Sequence, residues 1–187
     1  MNDFVKLLNG YNVQLSKEEI DSIISCGTVM KLKKNEIFLD YGDSATKIAF
    51  VKSGILEMLM DVNGTEKIID FICPHAIALD YLGFLLAKLS ELQIKASTDS
   101  VILFFKKETL SQILNTKPTY RKIERLLTEK SHSELIQKIR WMYLPPKERY
   151  EIFMKKYPDI GQQIPQYKIA SFLNVTPEWL SKIRASK

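Results

Sequence analysis

Cysteine is scarce in this chain: Cys26 and Cys73 are the two that occur in 187 residues, far apart and in no CxxC spacing. That shortage argues against a disulfide framework and a structural zinc site, and points to a reducing cytoplasm. No metal site is expected. Histidine is equally rare. His75 and His132 stand alone, the motifs G-x-S-x-G, H-E-x-x-H and the P-loop are missing, and no carboxylate pair has a suggestive setting. An enzyme is therefore not expected. Long apolar runs are missing too. The stretch from Ile77 to Ala87 is interrupted by Asp80 and is too short to span a bilayer. The opening residues Met1 to Leu8 carry neither a basic leader nor a long apolar run, so neither secretion nor a membrane partner is expected.

What is present is an ordinary globular composition, 45% hydrophobic and 26% charged, in a length that suits one large or two small domains. The charge is uneven. Residues 1–114 hold 12 Lys and Arg against 15 Asp and Glu, whereas residues 115–187 hold 15 against 7. A basic C-terminal portion suits phosphate neutralisation; a solvated basic surface without a partner is the plainer alternative.

The elements follow the same division. Ser16 with Glu19 three residues later forms a capping box that opens a short helix to about Ser25. From Val29 to Phe105 short apolar strands alternate with turns. The strand segments are Glu36–Asp40, Ile48–Lys52, Ile55–Asp61, Lys67–Ile72 and Val101–Lys106. The turns fall at Gly42-Asp43, Ser53-Gly54 and Asn63-Gly64, the last being the strongest hairpin signal. This spacing suits a small antiparallel barrel or jelly roll. The segment Ile77 to Leu92 breaks the rhythm and reads as a helical insertion. Pro118 opens a long helix to about Tyr143, stopped by Pro145-Pro146. Its apolar positions include Tyr120, Ile123, Leu127, Leu135, Ile139 and Met142, interrupted by Lys130 and Ser131. Such a helix needs cover from its own barrel or from a second subunit, and a dimer is favoured. Lys147 to Lys156 reads as another helix.

The last two dozen residues read as two short helices around a tight turn. The first runs from about Gln166 to Leu173, and Asn174 suits a left-handed exit. Thr176 then caps and Pro177 starts a second helix, with Trp179, Leu180 and Ile183 inward. That is a helix-turn-helix pattern, whose second helix enters the DNA major groove. An αα-corner packed on a core is the bland reading of the same residues.

The ordered set of motifs resembles the Crp/Fnr family of cyclic-AMP receptor protein and fumarate-nitrate regulators. The resemblance rests on Lys33-Lys34-Asn35-Glu36-Ile37-Phe38, Gly42-Asp43-Ser44-Ala45, Phe50-Val51-Lys52-Ser53-Gly54 and Asn63-Gly64 in the first part. In the last part it rests on Glu148-Arg149-Tyr150, Ile169 to Val175 and Thr176 to Arg184, a set most similar to the branch found in Bacteroidetes. It implies an α+β chain: a cyclic-nucleotide-binding-like β-roll (jelly roll) over residues 1–116, a dimerisation helix over 117–144 and a winged-helix-like helix-turn-helix domain over 145–187. It also implies a cytoplasmic homodimeric transcription regulator that binds double-stranded, pseudo-palindromic DNA, with RNA polymerase as a further partner. The competing expectation is a small-ligand module whose C-terminal helices contact protein instead of DNA.

Carried over position by position, the family's base-reading residues fall on Glu178, suited to a cytosine amino group, and Lys182, suited to guanine O6 or N7. A further basic position of the family is Pro177 here. Thr176, Ser181, Arg184, Gln166 and Lys168 are then assigned to phosphates. Ile123, Leu127, Leu135 and Ile139 are the expected dimer contacts. Any wing would have to come from Tyr157–Pro165 and would be small.

The family's phosphate cassette, Gly-Glu…Arg-Ser-Ala, is broken here. Leu79-Asp80 stands where Gly-Glu belongs, and aligning Ala96 with the closing alanine puts Ser90 at the arginine, with Glu91 beside it. Lys95 is expected to face solvent. Cyclic AMP binding is therefore not expected; the effector pocket would involve Asp80, Tyr81, Glu91 and Leu92, no cofactor is expected and the effector is unknown. Two separated cysteines cannot hold a four-iron cluster, and His75 reads as a turn residue before it reads as a haem ligand. Tyr81, Leu82, Phe84, Leu85, Leu86 and Leu89 could line a hydrophobic pocket or fill it, and filling is favoured.

Overall fold

A computed structural model describes residues 16–114, 116 and 118–185. The first described element is the short helix α1, Lys17–Ser25, closed by reciprocal bonds: the Glu19 N–H donates to Ser16 Oγ at 3.2 Å, and the Ser16 N–H donates to Glu19 Oε2 at 2.9 Å.

Eight strands follow: β1 Thr28–Leu32, β2 Ile37–Leu39, β3 Lys47–Ser53, β4 Leu56–Val62, β5 Thr65–Ile72, β6 Ile77–Ala78, β7 Leu92–Ala96 and β8 Ser100–Lys106. They form two antiparallel four-stranded sheets, β1-β8-β3-β6 and β2-β7-β4-β5, the two halves of a β-roll. Asn63 and Gly64, both at positive φ (54° and 78°), make the two-residue turn of the β4–β5 hairpin. Gly54, at φ +81°, turns β3 into β4 so tightly that an added Cβ would stand 2.4 Å from the Asp99 carbonyl oxygen. Between the sheets lies an apolar core that includes Phe38, Val51, Leu56, Ile94 and Ile102.

The segment between β6 and β7 differs from expectation. Its helix, α2, covers only Tyr81–Leu86, with strand on either side. After β8 come α3, Lys107–Leu114, and the long helix α4, Pro118–Met142. A second core joins Ile23, Phe50, Leu103, Phe105, Leu110 and Ile123, fixing α1, α3 and α4 on the first sheet. Four helices finish the chain: α5 Pro146–Lys156, α6 Ile160–Gln163, α7 Gln166–Leu173 and α8 Pro177–Ala185. The Tyr157–Pro165 link carries the helical turn α6 in place of wing strands.

A third core holds these last helices against the second sheet. It mixes Ile55, Leu59, Ile68 and Phe71 of the roll with Tyr150, Phe153, Ile169, Ala170, Leu173 and Leu180. Phe71, Phe153 and Phe172 meet there with ring centroids 5.3 to 6.2 Å apart. Leu56 to Leu59 of β4 are consequently buried on both faces, one toward the roll interior and one toward the helices.

Candidate nucleic-acid interface and sensor cassette

α7 and α8 meet at the expected tight turn. Asn174 adopts the left-handed conformation (φ 52°, ψ 51°), and the Trp179 N–H donates to Thr176 Oγ1 at 3.2 Å, capping α8. Leu180 is fully buried and Trp179 and Ile183 are half-buried, so α8 is anchored by that face. Thr176, Glu178, Ser181, Lys182 and Arg184 are all exposed, as is Gln166 at the start of α7. Hydrogen bonds from its own backbone N–H and from the Thr176 hydroxyl hold the Glu178 carboxyl below the ordinary carboxylate range. The exposed edge of α8 thus offers an ionised acceptor one turn before the cation of Lys182.

Lys168 departs from this set. The phosphate role expected for it is unavailable in this arrangement, because the side chain turns inward and its Nζ lies 2.8 Å from Glu57 Oε1 on β4. Glu57 is 1% exposed, and its second oxygen accepts from Ser97 Oγ at 2.6 Å. The Ile68 N–H on β5, the edge strand of its sheet, donates to Ser171 Oγ of α7 at 3.2 Å. Sequence reasoning missed both contacts. The available signal was Glu57 itself, a carboxylate inside the apolar run Leu56-Glu57-Met58-Leu59.

In the β-roll, two of the residues expected in a phosphate cassette bond to each other. Asp80 is 5% exposed and caps α2: Oδ1 accepts from the Gly83 N–H at 3.1 Å, and Oδ2 accepts from Ser90 Oγ at 2.7 Å. Gly83 is required there, since a Cβ would come within 2.5 Å of Asp80 Oδ2 and 2.7 Å of Ala45 Cβ. Glu91 is exposed and Leu92 half-buried, apart from the capped carboxylate. Tyr81 leaves the cassette altogether, its hydroxyl lying 3.0 Å from Thr128 Oγ1 on α4. Lys95 pairs with Glu66 at 3.4 Å on the outer side of the second sheet. Asp80 is thus turned inward to cap α2, Tyr81 reaches toward α4 and Glu91 is exposed. A separate cavity of about 100 Å³ lies between β5, α4 and α5, lined by Asp70, Cys73, Glu134, Lys156 and Tyr157 among others. Small-molecule sites usually offer at least ~300 Å³.

The leucines of this region correct a second expectation. Leu82, Leu85, Leu86 and Leu89 are 53 to 67% exposed, so they do not fill a pocket. The half-buried Phe84 packs on the α1–α4 core instead, and Lys107 lies over its ring at 4.9 Å. His75 is exposed at φ 69° and donates its backbone N–H to the Val51 carbonyl at 2.9 Å, a turn position. Burial and the neighbouring Asp70 push the Cys73 thiol up to about 11, away from the thiolate a ligand needs.

Along α4 the four expected dimer residues separate. Ile123 is 7% exposed and belongs to the chain's own core, a correction to its expected place in a dimer seam. The side chain of Leu127 lies outside the described residues. Leu135 (54%) and Ile139 (42%) are exposed, together with Ile136 and Met142. Among the described residues, no group of His, Cys, Asp and Glu could hold a metal ion, and no helix is long and apolar enough to cross a membrane.

Residues 29–117 match the family model of the cyclic nucleotide-binding domain. No curated protein sequence matches the chain. Solved structures share its fold across both parts. FixK2 from Bradyrhizobium japonicum superposes with a TM-score of 0.72 at 16% identity, over 86% of this chain and 83% of that one. The c-di-GMP-responsive global regulator CLP of Xanthomonas campestris gives 0.69 at 13% identity, over 91% of each chain. The catabolite activator protein of Thermus thermophilus gives 0.58 at 16% identity, over 96% of this chain and 85% of that one.

Proposed function

We propose that this chain, built on a cyclic nucleotide-binding domain and folded throughout like the Crp/Fnr-type regulators, is a homodimeric, sequence-specific DNA-binding transcription regulator. The observation that carries the reading is α8: a helix anchored by buried Leu180, with Glu178, Ser181, Lys182 and Arg184 exposed along it. Glu178 and Lys182 read base edges, while Thr176, Ser181, Arg184 and Gln166 hold phosphates. The basic balance of residues 115–187 supplies the attraction for the duplex.

In this reading residues 1–116 form the sensor, 117–144 the dimerisation helix and 145–187 the reading domain. The exposed Leu135, Ile136, Ile139 and Met142 of α4 form the contact with a second copy, placing two reading helices on half-sites about one DNA turn apart. The sensor does not take cyclic AMP, since Asp80 and Ser90 satisfy each other where a cyclic phosphate would need a cation. The protein acts in the cytoplasm, without catalysis, and RNA polymerase is its expected partner at promoters.

Selection of bound duplexes from a random library tests this reading, followed by a salt series on the winner. A pseudo-palindrome whose affinity falls steeply with salt is the expected result. No enriched sequence, or binding indifferent to salt, would favour a protein-contacting role for the last helices.

A further inference from the structure

We infer that Glu57 and Lys168 form a positioning pair, fixing the reading domain on the sensor sheet and so setting the angle and separation of the two reading helices. The inference rests on the DNA-reading function proposed above. Glu57 sits in β4 beside β5, the strand that α7 packs on, and Lys168 is the third residue of α7. Both charges are withdrawn from water, at 1% and 8% exposure, and they meet at 2.8 Å. Removing either partner strands a buried charge, so the pair has a strong geometric preference that an apolar contact lacks. Ser97 orients the carboxylate from the roll, and Ser171, one turn beyond Lys168, takes the Ile68 N–H on the neighbouring strand. The apolar contact of Ile169, Ala170 and Leu173 with Ile55, Leu59 and Ile68 holds the domain down, while the polar pair fixes where it sits. Lys168 then acts on DNA through the orientation of α8, without touching a phosphate.

A phosphate contact and a positioning pair predict different things for Glu57. If Lys168 reached DNA, replacing Glu57 would leave binding intact or raise it. If the pair positions the domain, losing either partner has the same effect.

The test uses the full chain as Lys168→Met, Glu57→Met and the double variant, in which two apolar side chains of similar volume restore a neutral contact. One readout needs no DNA: exchange of the Ile68 amide, protected by Ser171. The other is affinity for the selected operator and for versions with the half-site spacing changed by one or two base pairs. Both single variants are expected to speed Ile68 exchange and to reduce the spacing preference roughly tenfold, the scale on which single substitutions change coupling. The double variant recovers both. Unchanged Ile68 exchange in the single variants overturns the pair as an anchor, whatever happens with DNA. Faster exchange with an unchanged spacing profile overturns its role in setting the reading geometry. Loss of affinity in Lys168→Met but not Glu57→Met, with a shallower salt slope, restores Lys168 to a phosphate. If the wild-type chain binds no duplex, the DNA-reading function falls, and the exchange data alone decide whether the pair anchors the domain. If a single variant fails to fold, the double variant carries the test: its slow exchange and retained spacing profile support the pair, and their loss overturns it.

Discussion

Ser90 Oγ stands 2.7 Å from Asp80 Oδ2, so two residues that the family resemblance aligns with the phosphate cassette bond to each other. A phosphate placed beside Asp80 would meet a buried carboxylate, which disfavours a second anion.

Calorimetric titration with cyclic AMP and cyclic GMP is accordingly expected to give no submicromolar binding. The same bond makes a stability prediction. Ser90→Ala leaves Asp80 Oδ2 buried with one donor fewer and should cost about 1–3 kcal/mol in urea unfolding. A neutral Ser90→Ala, or tight binding of either nucleotide, would show that the cassette opens in solution.

The reading face gives a paired prediction. Lys182→Ala should weaken the best duplex by about 1–3 kcal/mol and leave random duplex nearly unchanged, the mark of a base contact. Equal losses on both duplexes would move Lys182 to the backbone. For Glu178 the sign follows from its lowered carboxyl. A depressed carboxylate keeps its contribution above its ordinary value and loses it only as pH falls through the lowered one. The difference in operator affinity between wild type and Glu178→Gln should therefore stay constant from pH ~8 down to ~5. A difference that collapses already near pH 6 would mean that Glu178 is not held in this way.

How much of this was legible in the sequence depends on whether the cause was local. Asn63-Gly64 and Asn174 could be read because a turn or a left-handed exit is decided within a few residues. Leu82, Leu85, Leu86 and Leu89 show the limit: their spacing says that they share a face, but not whether that face looks inward. The roll takes Phe84 from this helix and leaves the leucines outside. Lys168 was illegible for a related reason. A lysine early in a helix-turn-helix suits a phosphate, and only the sheet that covers α7 turns it toward Glu57. Asp80 lay between: its place in the cassette was readable, its capping bond to the Gly83 N–H was not.

Cys73 offers a chemical check on the junction between β5 and the last helices. Its thiol is pushed up to about 11, by burial first and by Asp70 next, with Lys156 opposing. Alkylation at pH 7 to 8 should be slow, since only the thiolate reacts, and it should rise steeply toward pH ~11. Mass spectrometry of the peptide after timed treatment with iodoacetamide measures this. Fast labelling at neutral pH would mean that the junction opens.

The long helix makes the last prediction, because its apolar residues divide by partner. Ile123 is buried in one core with Ile23, Phe50, Leu103, Phe105 and Leu110 of its own chain. Ile123→Ala should therefore cost about 2–5 kcal/mol of stability without changing the oligomeric state of the folded protein. Leu135 and Ile139 are exposed within one chain, so Leu135→Arg with Ile139→Arg should leave the folded monomer intact. What they should abolish is association, since a pair of cations facing their copies across a two-fold axis repel and go unsolvated. Sedimentation equilibrium separates the cases. Wild type and Ile123→Ala are expected as dimers, and the double arginine variant as a folded monomer with weakened operator binding. A dimer that survives both arginines would place the contact elsewhere, with the exposed leucines of the cassette next to be replaced.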